Sequence, residues 1–296
     1  MNPAKYANAY QRMSTPNTEK ATGEIGLTII AILNPLKLWG HCIIYSVNNK
    51  EKVMVATKSL NQVSPASARD NGIGLYLKRV FALMFGAIGV TALASFITMV
   101  TPLLGMMFTK TGMSPLYYIL MFGGLALSIW AQARAFSMSP ARAAAILFVY
   151  AATLGVVMTP LLLFALYSSP ITIIAAFVLA AVMFACMALF GYKTIKNLSF
   201  LGVFLTMGMI GLILVGLASF IWPEIIGGTF GTVVCLIGVL VFALFTAYDM
   251  QNLKYAYNAM GGDEHQKNQL AVLGALHLYI SFIAMFQYLL SLFNRD

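Results

Sequence analysis

Along this chain, long apolar runs alternate with short polar breaks. The runs fall near Val80 to Val100, Pro115 to Ala133, Ala143 to Tyr167, Pro170 to Gly191, Phe200 to Trp222, Ile225 to Ala247 and Gln269 to Phe293. Each is about the 20 residues that an α-helix needs to cross a hydrocarbon core. Turn and interface residues mark their ends: Pro102, the Ser139-Pro140 and Ser169-Pro170 pairs, Trp222-Pro223, and Tyr117, Tyr118, Tyr167 and Tyr192. Backbone groups in lipid must be satisfied within the segment, so the runs predict helices rather than open strands. The expected fold is an all-α membrane protein, a seven-transmembrane helix bundle over residues 75–296.

The first 74 residues read differently. Ile25 to Val47, "IGLTIIAILNPLKLWGHCIIYSV", is long enough to span but is interrupted by Asn34, Pro35, Lys37 and His41. An interfacial helix or a kinked hairpin suits those interruptions better than an eighth span. Glu19 and Glu24 precede it and no small-residue cleavage site follows, which argues against a signal peptide. Lys50 to Asp70 is polar and without apolar periodicity, as in a linker. Residues 1–74 therefore read as a cytoplasmic tail carrying the apolar segment 25–47.

Composition agrees with the pattern, since 60% of the 296 residues are hydrophobic and 9% charged, too few charges to cover a soluble surface. The net charge of +9 concerns the membrane, not nucleic acid. Sixteen of the 18 Lys and Arg residues fall in the tail and in the connections on its side of the bilayer, and two on the other side. By the positive-inside rule the N-terminus is cytoplasmic. Cys42, Cys186 and Cys235 are too scattered to suggest a disulfide framework or metal cluster. No cofactor is expected, and the expected partner is the lipid bilayer.

Few residues could carry chemistry. Of the nine acids, only Asp249 lies at or within the end of a span, in "FALFTAYDMQNLK". An aspartate near the bilayer centre costs about 2.5–3.5 kcal/mol on insertion scales and then needs the bundle or water; at a helix end it is simply solvated. Both readings are open for Asp249. His277 is the histidine inside a span, in "ALHLYISFIAMF", with Ser281 one turn later on the same face. His277 fits a buried polar residue bonded to a neighbouring helix, and equally a proton-sensitive group on an aqueous path, because histidine titrates near neutrality. Ser281 can bond back to the carbonyl of His277. Gly227 with Gly231, and Gly208, Gly211 and Gly216, suggest close helix contacts. GxSxG, P-loop, HExxH and paired-cysteine motifs are absent from the sequence, so an enzyme is the least expected class.

Several segments, in order, resemble the bacterial branch of the Bax inhibitor-1 (TMBIM) membrane family: "LYLKRVFALMFGAIGVTALASF", "MSPARAAAILFVYAATLGVVMTPLL", "FACMALFGYKTIKNLSFLGVFLTMGMIGLIL", "FTAYDMQNLK" and "LGALHLYISFIAMFQYLLSLF". The resemblance starts near Leu75. It implies a bundle in which a central helix is wrapped by the others, in the bacterial inner membrane. It also implies a pH-sensitive calcium leak gated by two aspartates, one ending the sixth span and one in the seventh. Two adjacent carboxylates share a proton, so pH would control the helix contact. The first aspartate carries over to Asp249. The second falls at Ser281, and Ala284 stands where the family's Asp-Phe-Ile-Asn pattern has asparagine. Serine offers calcium no carboxylate, so Asp249 needs another partner, and His277 is a candidate. A second-span arginine serves as an alternative partner in relatives, and Arg134 matches it best. Calcium or another cation is the expected ligand. The competing expectation from the resemblance is a regulator that binds and restrains a membrane protease complex, contacted through the N-terminal tail.

Overall fold

In a computed structural model, the described residues are 66–109, 112–134, 138–196, 198–221, 228–259 and 264–294, all within one compact unit, Ser59–Asp296. Residues 1–65 of the expected tail, with the apolar segment 25–47, lie outside them. Eight helices are described: α1 (Ala66–Val100), α2 (Leu103–Met107), α3 (Pro115–Arg134), α4 (Pro140–Ser168), α5 (Pro170–Lys193), α6 (Ser199–Ile221), α7 (Gly228–Ala259) and α8 (Glu264–Phe293). Between α2 and α3 lies a two-stranded antiparallel pair, β1 (Phe108–Thr109) and β2 (Gly112–Met113).

The fold is that of an all-α membrane protein. Six helices, α1, α3, α4, α5, α7 and α8, are long and apolar enough to cross a bilayer, and α6 adds the shorter apolar stretch Phe200–Gly216. Prolines open α4 and α5 at their first positions, after Ser139 and Ser169 in extended backbone. That position suits proline, whose fixed φ is helical and whose missing N–H would be unsatisfied there anyway.

Two expectations change. The linker ends earlier than Asp70, because α1 begins at Ala66. And α7 does not stop where its apolar run stops at Ala247 but continues to Ala259. Hydropathy registers contact with lipid, whereas the helix continues beyond it on tertiary packing.

The core is built around α8, which packs on α7, α1, α5 and α4. Within their apolar spans, 78% of α8 is buried against 11% of α3, so α8 is central and α3 peripheral. Apolar matter is not what brings helices together in lipid, so close backbone approach has to. On α5 the buried stripe is Ala176, Ala180, Phe184, Ala188 and Gly191, mostly small residues one turn apart. A Cβ on Gly191 would overlap the backbone of Ala247, one on Gly155 the carbonyl of Thr91, and one on Gly202 would lie 2.5 Å from the Tyr248 ring. Among the glycines expected to mark contacts, Gly208 faces Val241, but Gly211 and Gly216 have open space around them.

Candidate functional site

On α7, every residue from Phe245 to Gln251 is buried, because α8, α5 and α6 enclose this stretch of helix together. Asp249 lies within it, 6% exposed. It lies ten residues before Ala259, about 15 Å at 1.5 Å per residue, so the solvated helix-end reading is excluded. Its carboxyl is hydrogen-bonded to the hydroxyl of Ser281 on α8, itself 4% exposed. The position where the resemblance places the missing acid therefore faces Asp249, and a hydroxyl takes the contact.

His277 and Ser281 are one turn apart on α8 yet reach different helices. His277 Nε2 lies 3.1 Å from Gln132 Oε1 of α3, and Gln132 Nε2 donates to Ser128, 3.2 Å to Oγ. Ser128 in turn is hydrogen-bonded to Tyr150 of α4. Arg134 is the exposed last residue of α3, and the partner of Asp249 is Ser281. So Asp249 and Ser281 come together, whereas His277 belongs to a polar seam that docks α3.

A second seam joins α1 to the core. Thr91 Oγ1 faces the carbonyls of Ala87 at 3.0 Å and Ala151 at 3.1 Å, and the Tyr279 hydroxyl at 2.6 Å. Thr91 has one O–H to give to the carbonyls, so the phenol is the donor to Thr91. Ser95 adds a 2.6 Å bond to the carbonyl of Gly155, where the absent side chain lets α1 and α4 approach.

Immediately after Asp249, α7 holds the connection between α5 and α6. Gln251, 2% exposed, accepts from Leu198 N at 2.9 Å and donates to Lys196 O at 2.8 Å. Lys254 Nζ donates to Tyr192 O at 2.9 Å and sits 4.9 Å above the Tyr192 ring, a cation–π contact. The N-terminal half of α8 is tied by Arg79 to Asn268 and by Gln269 to Met138 O at 2.6 Å. Gln132, Gln251, Thr91 and Tyr279 escape a reading of the sequence. A signal existed for Gln132 alone, which with Ser128 forms a polar pair at i and i+4 on an otherwise apolar α3.

Chemically the arrangement is sparse. Among the described residues no three His, Cys, Asp or Glu side chains cluster as metal ligands. Asp249 and Ser281 present carboxyl and hydroxyl oxygens that can hold a proton or meet a hydrated cation.

The fold and this buried acid–hydroxyl pair define a polytopic helical membrane protein with one bonded carboxyl inside its bundle. The family model described as inhibitor of apoptosis-promoting Bax1 matches residues 74–296, and the chain belongs to that Bax inhibitor-1 family. It is 31% identical to a protein of Rickettsia prowazekii over 235 residues, 79% of this chain and 95% of the relative. It is 35% identical to a protein of Caulobacter vibrioides over 189 residues, 62% of this chain and 72% of that one. To the inner membrane protein YbhL of Escherichia coli it is 34% identical over 177 residues, 60% of this chain and 73% of YbhL.

Proposed function

We propose that this chain is a passive cation leak of the bacterial inner membrane, controlled at the contact between α7 and α8 by Asp249 and Ser281. The observation that carries the reading is the buried Asp249–Ser281 hydrogen bond between the central helix and the helix beside it. A carboxyl inside a lipid-embedded bundle is a functional-site hypothesis by default, because it is expensive to keep there. Similarity to YbhL and the apolar helices support the location, and the positive-inside bias supports a cytoplasmic N-terminus.

Calcium is the ion suggested by resemblance, but this site is poor in ligands. Calcium takes about 6–8 oxygens, while one carboxylate and one hydroxyl supply three, so an ion passing here keeps most of its water. Discrimination between calcium and monovalent cations is then weak, and Ser281→Asp strengthens it. The test is ion flux in proteoliposomes across pH, comparing wild type with Asp249→Asn, Ser281→Asp and His277→Ala. The reading requires Asp249→Asn to change flux. Identical flux in wild type and Asp249→Asn removes the pair from the mechanism.

A further inference from the structure

Beyond Ser281 the same stripe of α8 continues toward its C-terminus. Ala284, Tyr288 and Ser291 follow at spacings of three and four residues and so continue the face of Ser281, with Gln287 flanking it. These four, with Leu161 of α4 and Phe242 of α7, line an open groove of ≈ 350 Å³, and all six are half-buried. Three of the six carry polar groups. One turn beyond Ser291, both polar atoms of the Asn294 side chain are buried and have no protein hydrogen-bond partner.

Polar atoms without partners are costly where lipid is the only alternative. Gln287 lies six residues before Phe293, the last residue of α8, about 9 Å at 1.5 Å per residue. Water entering from the C-terminal side of the bundle therefore has a short way to go. The last carbonyls of a helix carry partial negative charge and lack helical partners, and those of α8 lie at the mouth of the groove. Inside α4, Pro160 precedes Leu161 at the groove edge and removes the helix bond that the carbonyl of Val156 would accept. The groove's own amide, phenol and hydroxyl groups both donate and accept and so suit water, and the partial negative charge of the helix-end carbonyls favours small cations over anions there. Ala284 gives the groove its floor: with a single methyl side chain, it leaves the space open to within one helical turn of Ser281.

We propose that this groove is a hydrated vestibule that admits small cations from the C-terminal side of the bundle to within one turn of the Asp249–Ser281 contact. Its role as a cation route rests on the leak reading above, whereas its hydration does not.

Cysteine accessibility tests it in the full chain. Gln287→Cys and Ser291→Cys are placed singly in a background with Cys42, Cys186 and Cys235 replaced by alanine, reconstituted in lipid vesicles. Reaction with membrane-impermeant methanethiosulfonates is compared with Leu236→Cys, a lipid-facing control on α7 that is 54% exposed. The groove positions should react at least tenfold faster than the control, and faster with a cationic than an anionic reagent of similar size. Adding Ala284→Leu should slow reaction at position 287 several-fold while leaving position 291 nearly unchanged. Rates at 287 and 291 equal to that at 236 would mean a lipid-filled groove and overturn the proposal, as would a preference for the anionic reagent. Fast cationic labelling in vesicles that show no ion flux would retain the vestibule and remove the leak reading.

Discussion

Replacing Ser281 with alanine deletes one oxygen atom and leaves Asp249 buried without its partner. Leaving a buried polar group unsatisfied costs about 1–3 kcal/mol in soluble proteins, while hydrogen bonds between helices in a bilayer average about 0.6 and reach about 1.7 kcal/mol. Ser281 is enclosed on the central helix and Asp249 is walled in by α5, α6 and α8, so the upper part of the membrane range applies, about 1–1.5 kcal/mol. That is close to a factor of ten in the balance between joined and separated α7 and α8. Asp249→Leu removes the contact from the other side, leaving no group to meet the hydroxyl, so the two substitutions together should do little more than either alone. The measurement is a double-mutant cycle on thermal unfolding in detergent, paired with ion flux from the same preparations. The expected coupling exceeds about 0.5 kcal/mol, the limit within which independent sites add. Additive effects, with the double variant losing the sum of the two, would refute the idea that this hydrogen bond joins the helices.

Other substitutions separate the remaining contacts. Gly191→Ala forces a methyl against the backbone of Ala247 and should destabilise by about 1–3 kcal/mol as overpacking does, whereas Gly211→Ala, with open space around it, should leave the unfolding midpoint unchanged or raised. Gln251→Leu breaks both bonds to the α5–α6 connection, so trypsin should cut after the exposed Lys193 and Lys196 several-fold faster, with α7 itself remaining protected. His277→Ala and Gln132→Ala each break the His277–Gln132 hydrogen bond, so their unfolding shifts should couple by more than about 0.5 kcal/mol in a double-mutant cycle; fully additive shifts would refute a link between α8 and α3 through this pair.

The helices were largely legible because lipid imposes a length and a polarity on each span. The Ser-Pro pairs before α4 and α5 marked their starts for a conformational reason, and α1 and α7 were misjudged at one end for another. Where a helix leaves the apolar run but stays packed, as α7 does from Tyr248 onward, hydropathy falls while structure continues. Asp249 looked terminal for that reason, and only tertiary enclosure shows it to be internal. The resemblance placed Ser281 opposite Asp249 but pointed to His277 or Arg134 as the partner; the contact with Ser281 itself was not legible, since 32 residues and a change of helix separate the two. Glycine spacing misled at Gly211 and Gly216 because it shows which residues share a face but not which face meets a neighbour. Gly155, Gly191 and Gly202 have contacts that no local pattern announces.

The position of α8 has a consequence for how the molecule is made. The helix that the others surround is the last of the eight described helices to leave the ribosome. Until it arrives, Thr91 waits for Tyr279, Asp249 for Ser281 and Gln132 for His277, each with a polar group turned toward a space still filled by lipid or by neighbouring chains. Among the described helices the packing of α8 therefore completes the interior, closing these three contacts together with those of Asn268 with Arg79 and Gln269 with Met138.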